Sequence, residues 1–143
     1  APAEATDDFR VHGLLAGERV TFEGRFARVE DAVLLPQPAC RVPMMIGSTG
    51  DRVLRTALPH ADAWNTFGPP ETFAHKSAVL DEWCAKVGRD PSEIERTVAI
   101  SPEEAADVSG YLAAGATHVI VMVGSPFDMA PLEALIAQRG ARG

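Results

Sequence analysis

The residues best suited to chemistry stand at Ile46-Gly47-Ser48-Thr49-Gly50, between the apolar Met44-Met45 and the amphipathic Arg52–Pro59. A loop of small residues between a buried strand and a helix lets the backbone approach a ligand closely. The helix start then offers unpaired N–H groups and a positive dipole, which suit a phosphate. Gly47, Ser48, Thr49 and Gly50 supply the loop, and the two hydroxyls add donors. The same residues also fit a plain βα turn, with Asp51 as an ordinary helix N-cap. Asp51 is awkward for phosphate binding, because its carboxylate would repel the ligand unless it turned aside to cap the helix or pair with Arg55.

Other candidates are weaker. His12, His60, His75 and His118 give no metal-ligand spacing, and His60, after Pro59 at a helix end, reads as a surface or capping residue. Cys40 and Cys84 are far apart and read as free thiols in a reducing compartment. Cys84 has no local pattern of an activated nucleophile. Trp64, on a buried strand, and Trp83, on an apolar helix face, read as packing residues. No Ser-His-Asp signature, P-loop or dinucleotide fingerprint is present.

The elements that must position the loop follow from periodicity. Asp7–Leu15 reads as a helix stopped near Gly17, and Val20–Val29, broken at Glu23-Gly24, as a short two-stranded excursion. Pro36, Pro38 and Pro43 make residues 36–43 a linker. From Met44 onward strand and helix alternate four times. The strands are Met44–Ser48, Ala61–Phe67, Arg96–Ser101 and Thr117–Val123. The helices are Arg52–Pro59, one opened by Pro69-Pro70 and stopped at Gly88, Glu103–Ala114 before Gly115, and Asp128–Gly140. Runs that are apolar throughout predict a parallel sheet covered by helices, with Val119 and its neighbours buried on both faces. Residues 1–143 read as one α/β domain, with helix, hairpin and linker over 1–43 and four βα units over 44–143. Four such units suit an open doubly wound sheet or half of a (β/α)8 barrel; an intact barrel needs about 250 residues.

Composition narrows the partners. The chain has 143 residues, 46% of them hydrophobic, and a formal net charge of −7. The acidic balance and the lack of a Lys/Arg run argue against a nucleic-acid surface. No apolar stretch approaches the roughly 18 residues of a membrane span. The N-terminus has neither the basic nor the apolar region of a signal peptide, and it lacks an initiator Met, which fits a chain processed, cloned or cut from something longer. The two free thiols make a reducing cytoplasm the expected location.

The segments "LLAGERVTFEGRFARVEDAVLLPQP", "PMMIGSTGDRVLRTALPHADAWNTFG" and "VLDEWCAKVGRDPSEIERTV" resemble the C-terminal half of the bacterial-luciferase-like monooxygenase family, in its branch that uses the deazaflavin coenzyme F-420. The resemblance runs over nearly the whole chain, in the family's order and at about its spacing. It implies a (β/α)8 barrel of which this chain carries strands five to eight, and coenzyme F-420 or FMN bound at the C-terminal ends of the strands. It also implies hydride transfer or monooxygenation of a small-molecule substrate. The family's loop pattern is Ile-Gly-Gly-x-Gly; Ser48 stands here at its second glycine. By this resemblance Gly47, Ser48, Thr49 and Gly50 face the cofactor phosphate, and Asn65 and Thr66, ending the next strand, reach the same group. No catalytic residue is assigned. The family's first four βα units are absent, and the loop after Ser101 is shorter than in relatives. The open sheet is expected to expose an inner face built from Ile46, Trp64, Val119 and Val121. A homo-oligomer or a complementary half-barrel would cover it.

Overall fold

The structure is a computed structural model. It describes residues 7–24, 28–47 and 50–140, with no side-chain description at 7–10, 51, 52, 139 and 140. Helix α1 (Asp7–Leu15) precedes an antiparallel hairpin of β1 (Val20–Glu23) and β2 (Arg28–Ala32). Phe26, expected in the second hairpin strand, lies outside the described residues. The prolines leave residues 33–44 without helix or strand. Then come β3 (Met45–Ile46), α2 (Asp51–Ala57), β4 (Ala63–Thr66), α3 (Pro70–Val87), β5 (Glu95–Ile100), α4 (Ser109–Ala113), β6 (His118–Val121) and α5 (Ala130–Gly140). Strands β3 to β6 pair in chain order, all parallel. The α/β alternation expected from residue 44 onward is therefore present.

Register assigns the faces. Ile46 lies level with Trp64, Thr66 with Val98 and Val119 with Val98, so these side chains share one side of the sheet. That side meets the helices. Trp64, Phe73, Leu80, Val98 and Ile100 are within 1% of complete burial, and Ile46, Val119, Val121 and Leu135 pack around them. The rings of Trp64 and Phe73 lie 5.8 Å apart between centroids, and Tyr111 meets Phe73 edge-on at 6.5 Å. The expected inner-face residues Ile46, Trp64, Val119 and Val121 thus form the helix-covered face instead. Large apolar side chains go where α3 can bury them. On the two middle strands the far face carries small residues, Ala63, Asn65, Thr97 and Ala99, with Met45 and Ile120 beside them on the edge strands; Ala63, Thr97 and Ala99 are sheltered at 5%, 0% and 6% exposure.

Two other expectations need correction. The helix predicted over Glu103–Ala114 is broken into a 3-10 turn, Glu104–Ala106, and α4. The Asp107 carboxylate accepts from the Ser109 N–H at 2.9 Å, and Asp107 itself is extended at φ −143°, so a local turn outcompetes the helix. Strand β6 is not buried on both faces. It is the sheet edge, and none of its four residues is fully buried.

The helix ends follow their sequence signals. Proline opens α3, and Gly88 closes it in the left-handed region at φ 74°. At α2 the capping position falls on Gly50, and Asp51 is already the first helical residue rather than the cap. Its side chain, and so its pairing with Arg55, lies outside the described residues.

Candidate functional site

In a parallel sheet all strands end on the same edge, where the loops leave and where polar groups gather. Here the edge is formed by Ile46, Thr66, Ile100 and Val121 with the residues that follow them. The last pair of the β3–β4 ladder is Ile46 with Trp64, and Gly47 and Asn65 each stand one residue beyond it. The small-residue loop therefore departs beside the strand end that carries Asn65.

A Cβ built on Gly47 would meet nothing within 4 Å, so there is open space beside this backbone. Gly50 accepts from the Leu54 N–H at 3.0 Å and starts α2. Ser48 and Thr49 lie outside the described residues. Asn65 is half-buried on the far face, next to the fully buried Thr97. The Thr97 hydroxyl donates toward Asn65 Oδ1 at 2.7 Å and lies 3.1 Å from the Trp64 carbonyl. This fixes the amide oxygen, while the Asn65 NH2 group meets no acceptor among the described residues. Two donors are left on a sheltered face at a strand end, the chemistry of a site for an acceptor-rich group.

Thr66 is placed differently. It is 3% exposed and lies on the helix side, where its hydroxyl accepts from Lys76 Nζ at 3.0 Å. The same ammonium donates to the Phe67 carbonyl at 3.1 Å. Gly68 then turns the chain at φ +110°, and a Cβ there would lie 3.1 Å from the Thr72 side chain. Lys76 drew no attention in the sequence because it sits on a helix ten residues downstream; only the packing of α3 brings it to the strand end.

Beyond β5 the Glu104 carboxylate is held twice, by the Ser101 N–H at 2.8 Å and the Tyr111 hydroxyl at 2.7 Å. The Ser101 hydroxyl accepts in return from the Glu104 N–H at 3.3 Å, which completes a capping box. The Ser101 N–H, then the Tyr111 hydroxyl, hold Glu104 below the usual carboxylate range. Burial, then the Glu104 acceptor, pushes the Tyr111 phenol up to about 12. This constellation braces the loop after β5.

The remaining candidates are structural. Trp64 is buried and Trp83 packs at the core margin, with Lys86 Nζ 4.4 Å over its ring. Cys84 is buried and Cys40 exposed; burial raises the Cys84 thiol, the opposite of a reactive one. His118 faces Glu95 at 3.3 Å and His12 lies 6.2 Å from His60 between rings, both at the N-terminal end of the sheet. Among the described residues no group of three His, Cys, Asp or Glu is placed to hold a metal, and no helix is long and apolar enough to cross a membrane.

Comparison with known proteins identifies the family and the fold. Residues 10–124 match the family model for luciferase-like monooxygenases. An F420-dependent glucose-6-phosphate dehydrogenase of Microbacterium testaceum is 34% identical over 88 residues, covering 59% of this chain and 26% of that protein. Its namesake from Nakamurella multipartita is 43% identical over the same length and shares. The chain thus spans about a quarter of the curated relatives it matches. Among solved structures, an F420-dependent secondary alcohol dehydrogenase, in complex with an F420-acetone adduct, aligns with a TM-score of 0.67 at 16% identity, over 80% of this chain and 53% of that one. The coenzyme F420-dependent tetrahydromethanopterin reductase of Methanopyrus kandleri gives 0.67 at 16% identity, over 94% and 61%. A riboflavin lyase, solved with modified FMN and riboflavin, gives 0.53 over 78% and 32%. These likenesses establish a common α/β fold. With the small-residue loop and all four parallel strands inside the matched span, the chain belongs to the luciferase-like monooxygenase family.

Proposed function

We propose that this chain is the C-terminal half of a (β/α)8 barrel and holds the phosphate end of coenzyme F-420 or FMN at the C-terminal edge of its sheet. The holding residues in this reading are Gly47, Ser48, Thr49, Gly50, Asn65 and Thr66. The observation that carries it is the Asn65 NH2 group, which meets no acceptor among the described residues and stands, like the open backbone at Gly47, one residue beyond the Ile46–Trp64 pair. A bare backbone and two amide donors fit an anionic, acceptor-rich group. The F420-dependent names of the curated relatives and of two solved neighbours support a deazaflavin over other phosphate ligands. The neighbour solved with modified FMN keeps the flavin as the second candidate.

When bound, the cofactor supplies a ring that accepts or gives hydride, or that activates oxygen. The chain's own contribution is to anchor the far end of that cofactor. Affinity at the phosphate does not orient a small-molecule substrate against the ring, because those contacts are remote from the reacting atom. Turnover in this reading needs a second wall, from a complementary half-barrel or a second copy of the chain. The solved neighbours extend well beyond the span this chain covers, which favours such a wall.

A second reading, a non-catalytic module that self-associates, is favoured by the edge at β6. Among the described residues no strand pairs its outer backbone groups, and a groove of about 810 Å3 lined by Val108, Leu112, Val119, Leu132, Leu135 and Ile136 runs beside it. Titration of the purified chain with coenzyme F-420 and with FMN, followed by absorbance and thermal shift, separates the two. Saturable stabilisation supports the cofactor site, and no response to either leaves only the module.

A further inference from the structure

Of the basic side chains described here, most are already neutralised. Arg19 pairs with Asp31, Arg28 with Glu30, Arg41 with Asp62, Arg89 with Glu93 and Arg96 with Asp81. The chain has only two lysines, and Lys86 lies over the Trp83 ring. Lys76 differs from all of these. Its ammonium touches two uncharged oxygens, Thr66 Oγ1 at 3.0 Å and the Phe67 carbonyl at 3.1 Å, and no carboxylate among the described residues.

Its position is as unusual as its partners. The paired arginines 41, 89 and 96 stand toward the N-terminal ends of the strands, whereas Lys76 reaches the C-terminal end of β4. An ammonium has three donors and here spends two of them on the strand end, so one N–H and nearly the whole positive charge stay available. The two bonds also hold the ammonium at a set place, which lowers the entropy lost when it meets a ligand. In a chain of formal charge −7, a fixed cation at the strand ends that meets no carboxylate among the described residues points to an anionic ligand.

We infer that Lys76 is a ligand-binding residue that supplies the counter-charge for the phosphate group held at the C-terminal edge of β3 and β4. The inference rests on the reading of that edge as a flavin or deazaflavin phosphate site, and adds a residue and a charge requirement to it. Thr66 then contributes through Lys76: its hydroxyl, buried on the helix side, positions the ammonium that meets the phosphate.

The test uses ligand pairs of which one member carries the phosphate: FMN against riboflavin, which differ by the phosphate alone, and coenzyme F-420 against its phosphate-free deazaflavin. Because the chain holds only two lysines, acetylation by acetic anhydride read by mass spectrometry reports each one separately, with Lys86 as internal control. The expected result is that the phosphorylated ligand slows modification of Lys76 and not of Lys86, while the phosphate-free ligand does neither. In parallel, Lys76→Gln weakens binding of the phosphorylated ligand about tenfold, leaves the phosphate-free ligand unchanged, and is rescued in part by Lys76→Arg. Equal modification of Lys76 with and without the phosphorylated ligand overturns the inference while leaving the site itself standing. A parallel loss of affinity for both members of a pair in Lys76→Gln also overturns it, because that pattern marks a residue that only braces the strand end. A wild-type chain that does not prefer the phosphorylated member of either pair overturns the inference together with the phosphate site. If Lys76→Gln does not fold, the protection experiment on the wild-type chain decides alone.

Discussion

Thr97 Oγ1 lies 2.7 Å from Asn65 Oδ1, across the register pair that joins the middle of β4 to β5. The contact turns the Asn65 amide so that its oxygen is satisfied, while its NH2 group meets no acceptor among the described residues. One buried hydroxyl on β5 thereby sets which end of an amide on β4 is offered to a ligand. Thr97→Val removes the hydroxyl at nearly constant volume. It should cost about 1 kcal/mol of stability and weaken cofactor binding several-fold by freeing the amide to rotate. Urea melts and ligand titration of the variant check the two effects separately. Asn65→Ala should lose more binding than Thr97→Val and less stability.

The loop gives a second expectation. Gly50 is extended at φ −76°, a conformation open to any residue, so Gly50→Asp should fold and melt close to wild type. Its added carboxylate should abolish phosphate binding by repulsion. Asp51→Asn, which removes a negative charge next door, should leave affinity unchanged or raise it. Fluorescence titration with FMN measures both, and unchanged affinity in Gly50→Asp would remove the loop from the site.

The brace after β5 predicts a pH dependence. The folded pKa of Glu104 lies below its unfolded value of 4.5. Its contribution to stability is therefore fully present above that value and fades as pH falls through the folded pKa. Tyr111 shifts the other way, from 10.0 to about 12, so its share is intact below pH 10 and fades as pH rises through about 12. Glu104→Gln should flatten the acid limb of a urea-melt series taken over about pH 3 to 6. An acid limb identical to wild type would show that Glu104 does not hold the loop.

Assembly is the fourth expectation. The far face offers less apolar surface than the sequence suggests, since Trp64 and Val119 turn to the helices. The strand edge and the groove beside it remain, together with exposed Met45, Phe67, Met122 and Phe127 at 48%, 54%, 46% and 66%. Sedimentation should show a dimer or larger oligomer at micromolar concentration. Lys substituted at Ile136, which is 60% exposed in the groove, should shift it toward monomer without loss of fold. A wild-type monomer at that concentration would contradict the expectation.

Much of the fold from Met44 onward was legible because strand runs, proline starts and glycine stops agree at Pro70, Gly88 and Gly115. The break in the predicted Glu103–Ala114 helix was not legible, because Asp107 and Ser101 compete for local N–H groups in a way that periodicity does not register. The faces of the sheet were misassigned for a related reason. In a run such as "VIV", period-two alternation says which residues share a side, and only the packed helices say which side is covered. At the candidate site, Gly47 and Asn65 could be named from the resemblance, whereas Thr97 and Lys76 could not. Each acts through a contact, across 32 and 10 residues respectively, that exists only once the sheet and α3 are assembled.

The central claim is that a cofactor phosphate sits beside Gly47 and Asn65 at the C-terminal edge of the sheet. Its most direct measurement is a titration of the 15N-labelled chain with coenzyme F-420, and with FMN, followed by amide NMR. The account predicts saturable shifts at the Gly47 and Gly50 amides and the Asn65 side-chain NH2, with the β1–β2 hairpin and the groove at Leu132–Ile136 unmoved. Shifts confined to the groove or the hairpin, or no shifts with either ligand, would contradict it.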